Sequence, residues 1–371
     1  MRQVIVTDVR YRTAMAVIRP LAKAGYEVCG VQTKQESPAP PPAFSCKYLA
    51  RRELLDGSVH DDTYPERLLA LCREYDRPVL LPIGADTLAM LAANADRFRA
   101  VCELLIPTTA ALDTANDKRA VAQLARQLGI PVPEEYCGTP DRFPVIIKPR
   151  CGEKLGLHAE QRYVVADNAE HFADAYRKMS ALDPHPVVQE LLRGDGEGVC
   201  LVMDEAHQPV SIFCHRRVRE YPISGGPSAC CISTDNETLA AYAVRLLQAF
   251  DFTGIAMVEF KDGRLLEINP RIWGSFPLTE KSGSAFIVDY VRAAAGEQFP
   301  TPDRVYRRGR RMRFVLNDTL SLLSHLRHGH LKTAAVGALD IFRAKEALFS
   351  FSDQKPFWRY LFQALRRKGS L

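Results

Sequence analysis

The chain has 371 residues, 47% hydrophobic and 25% charged, with 49 Lys and Arg against 44 Asp and Glu. That length supports two or three domains with sizeable cores, and the composition is that of an ordinary soluble globular protein, not a disordered or fibrous one. No apolar run approaches the roughly 20 residues that span a bilayer, strand-like residues start directly at the N-terminus without a signal peptide, and ten Cys lack metal-finger spacing, so reduced thiols and a cytoplasmic location are expected.

The charge is uneven. From Arg304 onward the chain holds fifteen Lys and Arg and four acids, which leaves the preceding body mildly acidic. No nucleic-acid partner is expected for that body.

Gln3–Asp8 reads as a β-branched strand, Thr13–Ala24 as a helix stopped by Gly25, and Glu27–Gln32 as a second strand. This is the βαβ opening of an α/β domain. Its first turn, Thr7-Asp8-Val9-Arg10, lacks the G-x-G-x-x-G that lets a pyrophosphate approach the backbone, which argues against a dinucleotide site. Pro78–Pro82 reads as a buried strand followed by Asp86. Open parallel sheets bind ligands there, although capping of the helix Thr87–Asn94 is the simpler role for Asp86.

Asn116-Asp117-Lys118 opens a helix that Gly129 ends. A lysine opposes the helix dipole at that end, so Lys118 needs another reason for its place. From Phe143 the pattern turns antiparallel. Phe143–Lys148 is an apolar strand that delivers the ammonium of Lys148 to a sheet edge, and Arg150–Gly156 is a glycine-bounded loop suited to folding over phosphates. Pro186–Leu192 is a strand that runs into a glycine-rich turn holding Asp195 and Glu197, and Val199–Met203 with Val210–Cys214 reads as a hairpin. His215–Arg219 continues as a basic strand into Ser224-Gly225-Gly226, a combination suited to an anionic ligand. Alternation sets Arg217 and Arg219 on one face and Arg216 on the other; His215 is expected to be structural.

Gly254–Gly274 is the stretch around which the rest is organised. It reads as two strands joined at Lys261-Asp262-Gly263. A two-residue Asp-Gly turn would pair Glu259 with Leu266 and face the acid into the apolar side. A three-residue loop would pair Glu259 with Leu265, burying Val258, Phe260, Leu266 and Ile268 and gathering Glu259, Glu267 and Asn269 on the opposite face; this register is expected. Two carboxylates and an amide carbonyl are hard oxygen ligands of the kind Mg²⁺ takes. Such a cluster requires a cation or a basic neighbour, and Arg271 offers a guanidinium for phosphate.

In this order, Lys118, Lys148, Glu259 and Glu267-Ile268-Asn269-Pro270-Arg271 resemble the ATP-grasp superfamily over roughly Leu105–Gly296. The body resembles a carbamoyl-phosphate-synthase-like half unit, and HRRVREYPISGGPS resembles a subgroup of carboxylate–amine ligases. The resemblance implies a mixed α/β and α+β fold. A Rossmann-like pre-ATP-grasp domain (1–108) would precede a two-lobed ATP-grasp domain (109–300, lid lobe about 120–190) and a basic helical C-terminal extension (301–371). It implies ATP and Mg²⁺, with Mn²⁺ as an alternative ion, and a carboxylate activated as an acylphosphate for an amine.

By the same resemblance, Glu259, Glu267 and Asn269 hold the metal, and Lys118 and Lys148 contact phosphates. The segment Gln189, Glu190, Leu191 reads adenine, and Glu197 (or Asp195) takes the ribose. Arg271, Arg217 and Arg219 serve the phosphoryl group or the acyl substrate. Gly152–Gly156 has fewer Gly and Ser than the usual family lid, and Glu153 would be repelled by phosphates unless it points away. Phosphorylation of bicarbonate or carbamate, or a nucleotide-binding regulatory role, are the alternative readings. The tail is expected to pack on the body, with homodimerisation or contact with an anionic membrane surface as alternatives.

Overall fold

The computed structural model describes residues 2–37, 39–152, 162–223 and 225–368. Glu153, the rest of the expected phosphate loop to Gly156, and Ser224 lie outside them. The chain opens with β1 (Gln3–Val6), α1 (Ala14–Lys23), β2 (Glu27–Thr33), β3 (Arg51–Leu55), α2 (Tyr64–Cys72), β4 (Val79–Leu81), α3 (Ala85–Ala93) and α4 (Ala95–Arg99). The four strands form a parallel sheet in the order β3-β2-β1-β4. β1, β2 and β4 are covered on both faces and read as near-continuous apolar runs; the edge strand β3 alternates.

Asp86 lies within the first turn of α3, whose N-cap is Gly84, so it does not cap that helix. The acid at the sheet's carboxyl edge is Asp8. It accepts from Thr7 Oγ1 (2.7 Å), Gly84 N (3.1 Å) and Thr87 Oγ1 (3.0 Å) and thereby ties β1 to the start of α3.

Next come α5 (Thr109–Asn116) and α6 (Lys118–Gln127), then a small lobe of β5 (Val145–Lys148), β6 (Val164–Ala166), α7 (Ala169–Ser180) and β7 (Val187–Glu190). Its antiparallel sheet, β6-β5-β7, buries Val145, Ile147 and Val188 against Phe172, Ala175 and Met179 of α7. Because side chains alternate, Ile146, Lys148 and Gln189 fall on the face turned away from α7.

The large sheet gathers β8 (Gly196–Met203), β9 (Pro209–Glu220), β10 (Ser228–Thr234) and, after α8 (Glu237–Gln248), β11 (Gly254–Lys261) and β12 (Arg264–Asn269). After α9 (Pro277–Ser282) and α10 (Phe286–Ala294), the tail contributes β13 (Arg311–Arg313), α11 (Val315–Arg327), α12 (Leu331–Arg343), β14 (Lys345–Glu346) and α13 (Lys355–Lys368). The seven strands run β12-β11-β8-β9-β10-β13-β14. One face, with Val199, Leu201 and Phe260, packs on α5, α6 and α8. The other, with Cys200, Val202, Phe213 and Met257, packs through Trp273, Phe276 and Phe286 onto α1 of the first domain.

The tail is thus part of the body, and two buried arginines hold it. Arg19 of α1 donates Nε to Asp353 Oδ2 (3.0 Å), Nη1 to the Leu348 carbonyl (2.7 Å) and Nη2 to the Asp353 carbonyl (2.9 Å). Arg219 was expected to face an acyl substrate, and the structure overturns that placement. Its guanidinium is buried and donates to Asp318 (2.7 and 3.1 Å) on α11 and to Asp340 (2.7 Å) on α12. Asp340 also receives Arg311 (2.7 Å), and Arg313 lies 3.4 Å from Asp318. Arg219 therefore anchors the tail's helical hairpin.

Breaking one partner of a buried charge network typically costs about 3–5 kcal/mol. Arg219→Leu is expected to lower the urea midpoint by a loss of that order; a substrate-binding arginine would instead raise KM and leave the midpoint unchanged. Asp353→Asn is expected to destabilise the chain by about 3 kcal/mol at neutral pH. Burial opposes ionisation of Asp353, but Cys46, the Lys47 amide and Arg19 outweigh it and hold the carboxyl below the ordinary range. A lowered folded pKa gives stability that is present above the unfolded value of about 3.9 and is lost as pH falls through the folded one. The difference between wild type and Asp353→Asn should therefore shrink below about pH 4 in urea titrations.

Candidate active site

The turn of the β11–β12 hairpin has two residues, not three. Asp262 (φ 53°) and Gly263 (φ 70°) both take the left-handed conformation that a two-residue hairpin turn demands. Lys261 accordingly faces Arg264, and Phe260 faces Leu265. The ladder then shifts by one residue, so that Glu259 faces Glu267 and Met257 faces Asn269. Leu266 is the extra residue of this bulge and is only half-buried, while Leu265 joins Val258, Phe260 and Ile268 in the core. The expected register was wrong. The face it was meant to produce is present, with Glu259, Glu267 and Asn269 together on it.

That face continues the apolar side of the large sheet. Along β11, Ile255 and Met257 pack on the first domain's core, and Glu259 follows. Along β9, Phe213 is followed by His215 and Arg217, and along β8, Cys200 is preceded by Gly198. All three rows turn polar at one level, where the first domain's packing ends. Gly198 is required there: a Cβ would stand 2.3 Å from Cε1 of His215. The ring lies over that glycine, with Nε2 3.0 Å from Ser275 Oγ and Nδ1 3.6 Å from Cys200 Sγ. Burial, with Arg217 beside it, pushes the imidazole down to about 3. His215 is a neutral structural histidine, as expected.

Arg217 lies on the same face as His215. It donates Nη2 to Glu259 Oε2 at 3.2 Å and Nη1 to Glu220 Oε2 at 3.2 Å and to the Gly226 carbonyl at 3.3 Å. Asn269 Nδ2 donates to the other Glu259 oxygen at 3.2 Å. Glu267 meets Lys118 Nζ at 3.3 Å. Burial raises the pKa of Glu259, against the pull of Arg217 and with repulsion from Glu267 adding to the rise. Burial likewise opposes ionisation of Glu267, but Lys118 and Lys148 outweigh it and hold that carboxyl low. Arg271, just past β12, donates Nη1 to the Ile272 carbonyl at 3.2 Å, and its charge favours ionised Glu259.

Asp117 and Arg150 bring the two lysines together. Asp117 caps α6, accepting from the amides of Arg119 (3.0 Å) and Ala120 (3.1 Å). The same carboxylate receives Arg150 Nε at 2.8 and 2.9 Å, and the Arg150 carbonyl accepts the Lys118 amide at 3.1 Å. Arg150 follows Lys148 by two residues, so this clasp sets the end of β5 against the start of α6. Lys148 is buried there, and burial pushes its ammonium down to about 8, with Glu267 opposing and Lys118 adding to the fall. Sequence reading identified Asp117 as a helix start but missed Arg150, whose only signal was its closeness to Lys148.

The remaining expected residues divide. Gln189 is buried on the face of the small sheet turned away from α7, beside Ile146 and Lys148, and its Oε1 has no hydrogen-bond partner among the described residues. Glu190 turns toward the hairpin, bonding Arg264 and the Glu134 amide (2.8 Å). The amides of Glu190 and Leu191 donate to the carbonyls of Glu134 (3.0 Å) and Pro144 (3.2 Å). Glu197 is not brought to the site. Its Cα partner is Phe260, so it shares the face of the sheet that packs on α8, and it accepts from Asn236 at 3.2 Å. Asp195 is exposed and pairs with Arg216.

Residues 115–275 match the sequence model of the ATP-grasp domain family. Among solved structures, the biotin carboxylase of Campylobacter jejuni, in complex with β,γ-ATP, has a TM-score of 0.63 at 15% identity, covering 83% of this chain and 74% of that one. The biotin carboxylase domain dimer of Hydrogenobacter thermophilus 2-oxoglutarate carboxylase, in complex with MgADP, ADP and bicarbonate, has a TM-score of 0.62 at 14% identity, over 84% and 73%. An L-amino acid ligase from Bacillus licheniformis has 0.55 at 15%, over 79% and 74%. No curated protein matches the sequence. The matched segment contains Lys118, Lys148 and the whole β11–β12 hairpin. Residues 115–275 are an ATP-grasp domain, and the chain has the ATP-grasp fold.

Proposed function

We propose that this protein is a Mg-ATP-dependent ligase that activates a carboxylate as an acylphosphate and passes the acyl group to an amine. The observation that carries the reading is the convergence of Lys118 and Lys148 on a face where Glu259 and Glu267 stand opposite each other beside Asn269. The donor set fits Mg²⁺. Among the described residues no cluster of three or more His, Cys, Asp and Glu is present. Two carboxylates and an amide suit an ion that keeps waters and takes phosphate oxygens as its remaining ligands.

Glu259, Glu267 and Asn269 would hold that ion, and it would supply neutralisation of the β- and γ-phosphates. Lys118 and Lys148 offer two ammonium groups to the same phosphates, and the fall of the Lys148 pKa reflects how little water reaches it. The Gln189 carbonyl, unpartnered among the described residues and on the same face as Lys148, offers an acceptor to the amino group of a purine. Arg217 and Arg271 place guanidinium charge beside Glu259, where an anionic acyl substrate would approach. In the proposed reaction a carboxylate oxygen attacks the γ-phosphorus and ADP leaves. The amine nitrogen then attacks the acyl carbon, phosphate leaves, and the amine gives up a proton.

The likeness to an L-amino acid ligase supports amide formation. The likeness to two biotin carboxylases supports a second reading, phosphorylation of bicarbonate. Nucleotide release from ATP with Mg²⁺ across pooled carboxylates, with and without pooled amines, separates them. ADP and phosphate are expected only when an acid and an amine are both present. Release with bicarbonate alone would favour the second reading, and AMP with pyrophosphate would overturn the acylphosphate route. Saturable ATP binding without turnover would leave a regulatory role. Glu267→Gln is expected to lower turnover about a hundredfold or more and to raise the Mg²⁺ requirement; full turnover in that variant would remove Glu267 from the metal set.

A further inference from the structure

The α11–α12 hairpin is amphipathic in the reverse of the usual sense. Its inward stripe on α12 is Ala334, Gly337 and Asp340, and on α11 the buried residues are Asp318 and Ser321. A Cβ on Gly337 would stand 2.3 Å from Leu322 Cδ2 of α11 and 3.1 Å from Arg219 Nη1, so small residues on α12 let the two helices close on each other and on the buried arginine. Half-buried Leu322 lies between the helices, while the other large apolar side chains include several that point out. Leu331 (64% exposed), Leu339 (50%) and Phe342 (90%) recur at helical spacing along the outer side of α12, and Leu323 and Leu326 are exposed on α11.

The charges follow the same reversal. Between residues 315 and 343 the only acids are Asp318 and Asp340, and both are buried in the arginine network. Arg327, Lys332 and Arg343 are all exposed. The outer surface therefore combines apolar side chains with positive charge and carries no carboxylate to offset it. A second copy of the chain would set cation against cation across a two-fold contact. A surface with an apolar interior and anionic headgroups answers both features. Each helix has 13 residues, about 20 Å at 1.5 Å per residue, and no described helix is long and apolar enough to cross a membrane. The hairpin would therefore lie along the surface.

We infer that the outer face of the α11–α12 hairpin docks on an anionic lipid bilayer, with Leu331, Leu339 and Phe342 entering the headgroup boundary and Lys332 and Arg343 meeting lipid phosphates. The test is co-sedimentation of the full chain with vesicles of phosphatidylcholine alone and of equal parts phosphatidylcholine and phosphatidylglycerol. Association is expected with the anionic vesicles only, and added salt should reverse it. Phe342→Ser should weaken it about tenfold, and Lys332→Ser with Arg343→Ser by a similar factor, with unchanged thermal melting because these side chains are already in solvent. Absence of association, equal association with both vesicles, or variants that bind as wild type would overturn the inference. So would a dimer in analytical ultracentrifugation that Phe342→Ser dissociates while vesicle binding is absent.

Discussion

Two carboxylates face each other across β11 and β12, and the rest of the site is arranged around that repulsion. Like charges directly opposite on neighbouring strands are destabilising, so Glu259 and Glu267 require positive charge on either side. Arg217 supplies it to Glu259 and Lys118 to Glu267, giving a row from β9 to α6 in which the two negative charges are bracketed by positive ones. Three separately folded pieces must meet for that row to exist: the large sheet, the start of α6, and the end of β5 that the Asp117–Arg150 clasp draws in. A divalent ion bound between the carboxylates would relieve the same repulsion, so the basic neighbours and the metal answer one electrostatic demand.

Much of this was legible because it depends on local periodicity. The βαβ opening, the antiparallel turn of the chain after Phe143 and the shared face of Glu259, Glu267 and Asn269 follow from alternation and apolar spacing. The hairpin shows how the right face was reached through the wrong register. Without a bulge, a three-residue loop is needed to bring Glu259 round. The chain keeps the two-residue turn that Asp-Gly favours and inserts Leu266 as a bulge three residues after it. Bulges leave no fixed sequence mark.

What was not legible depends on partners distant in sequence. Simple alternation gives Arg219 and Arg217 one face, but a bulge between them sets Arg217 opposite Cys231 and Arg219 opposite the neighbouring Cys230, and nothing in the local pattern marks it. Asp318 and Asp340, about a hundred residues further on, claim Arg219 for the tail, and Glu259 claims Arg217 for the site. Glu197 was misjudged for a different reason. Its strand position puts it opposite Phe260, on the face packed against α8, and that pairing cannot be read from the glycine-rich turn in which it stands.

β13 has one further consequence. It pairs with β10 along Cys230–Ile232, and β14 covers β13 in turn. The segment that matches the ATP-grasp family ends at residue 275, before either strand begins. A chain cut there would leave the hydrogen-bonding groups of β10 as an open edge, a template for pairing with other chains, and would strand the Arg219 guanidinium two residues from Arg217. The limits of sequence similarity in this protein are not the limits of a unit that can fold alone. The tail closes the sheet on which the site is built.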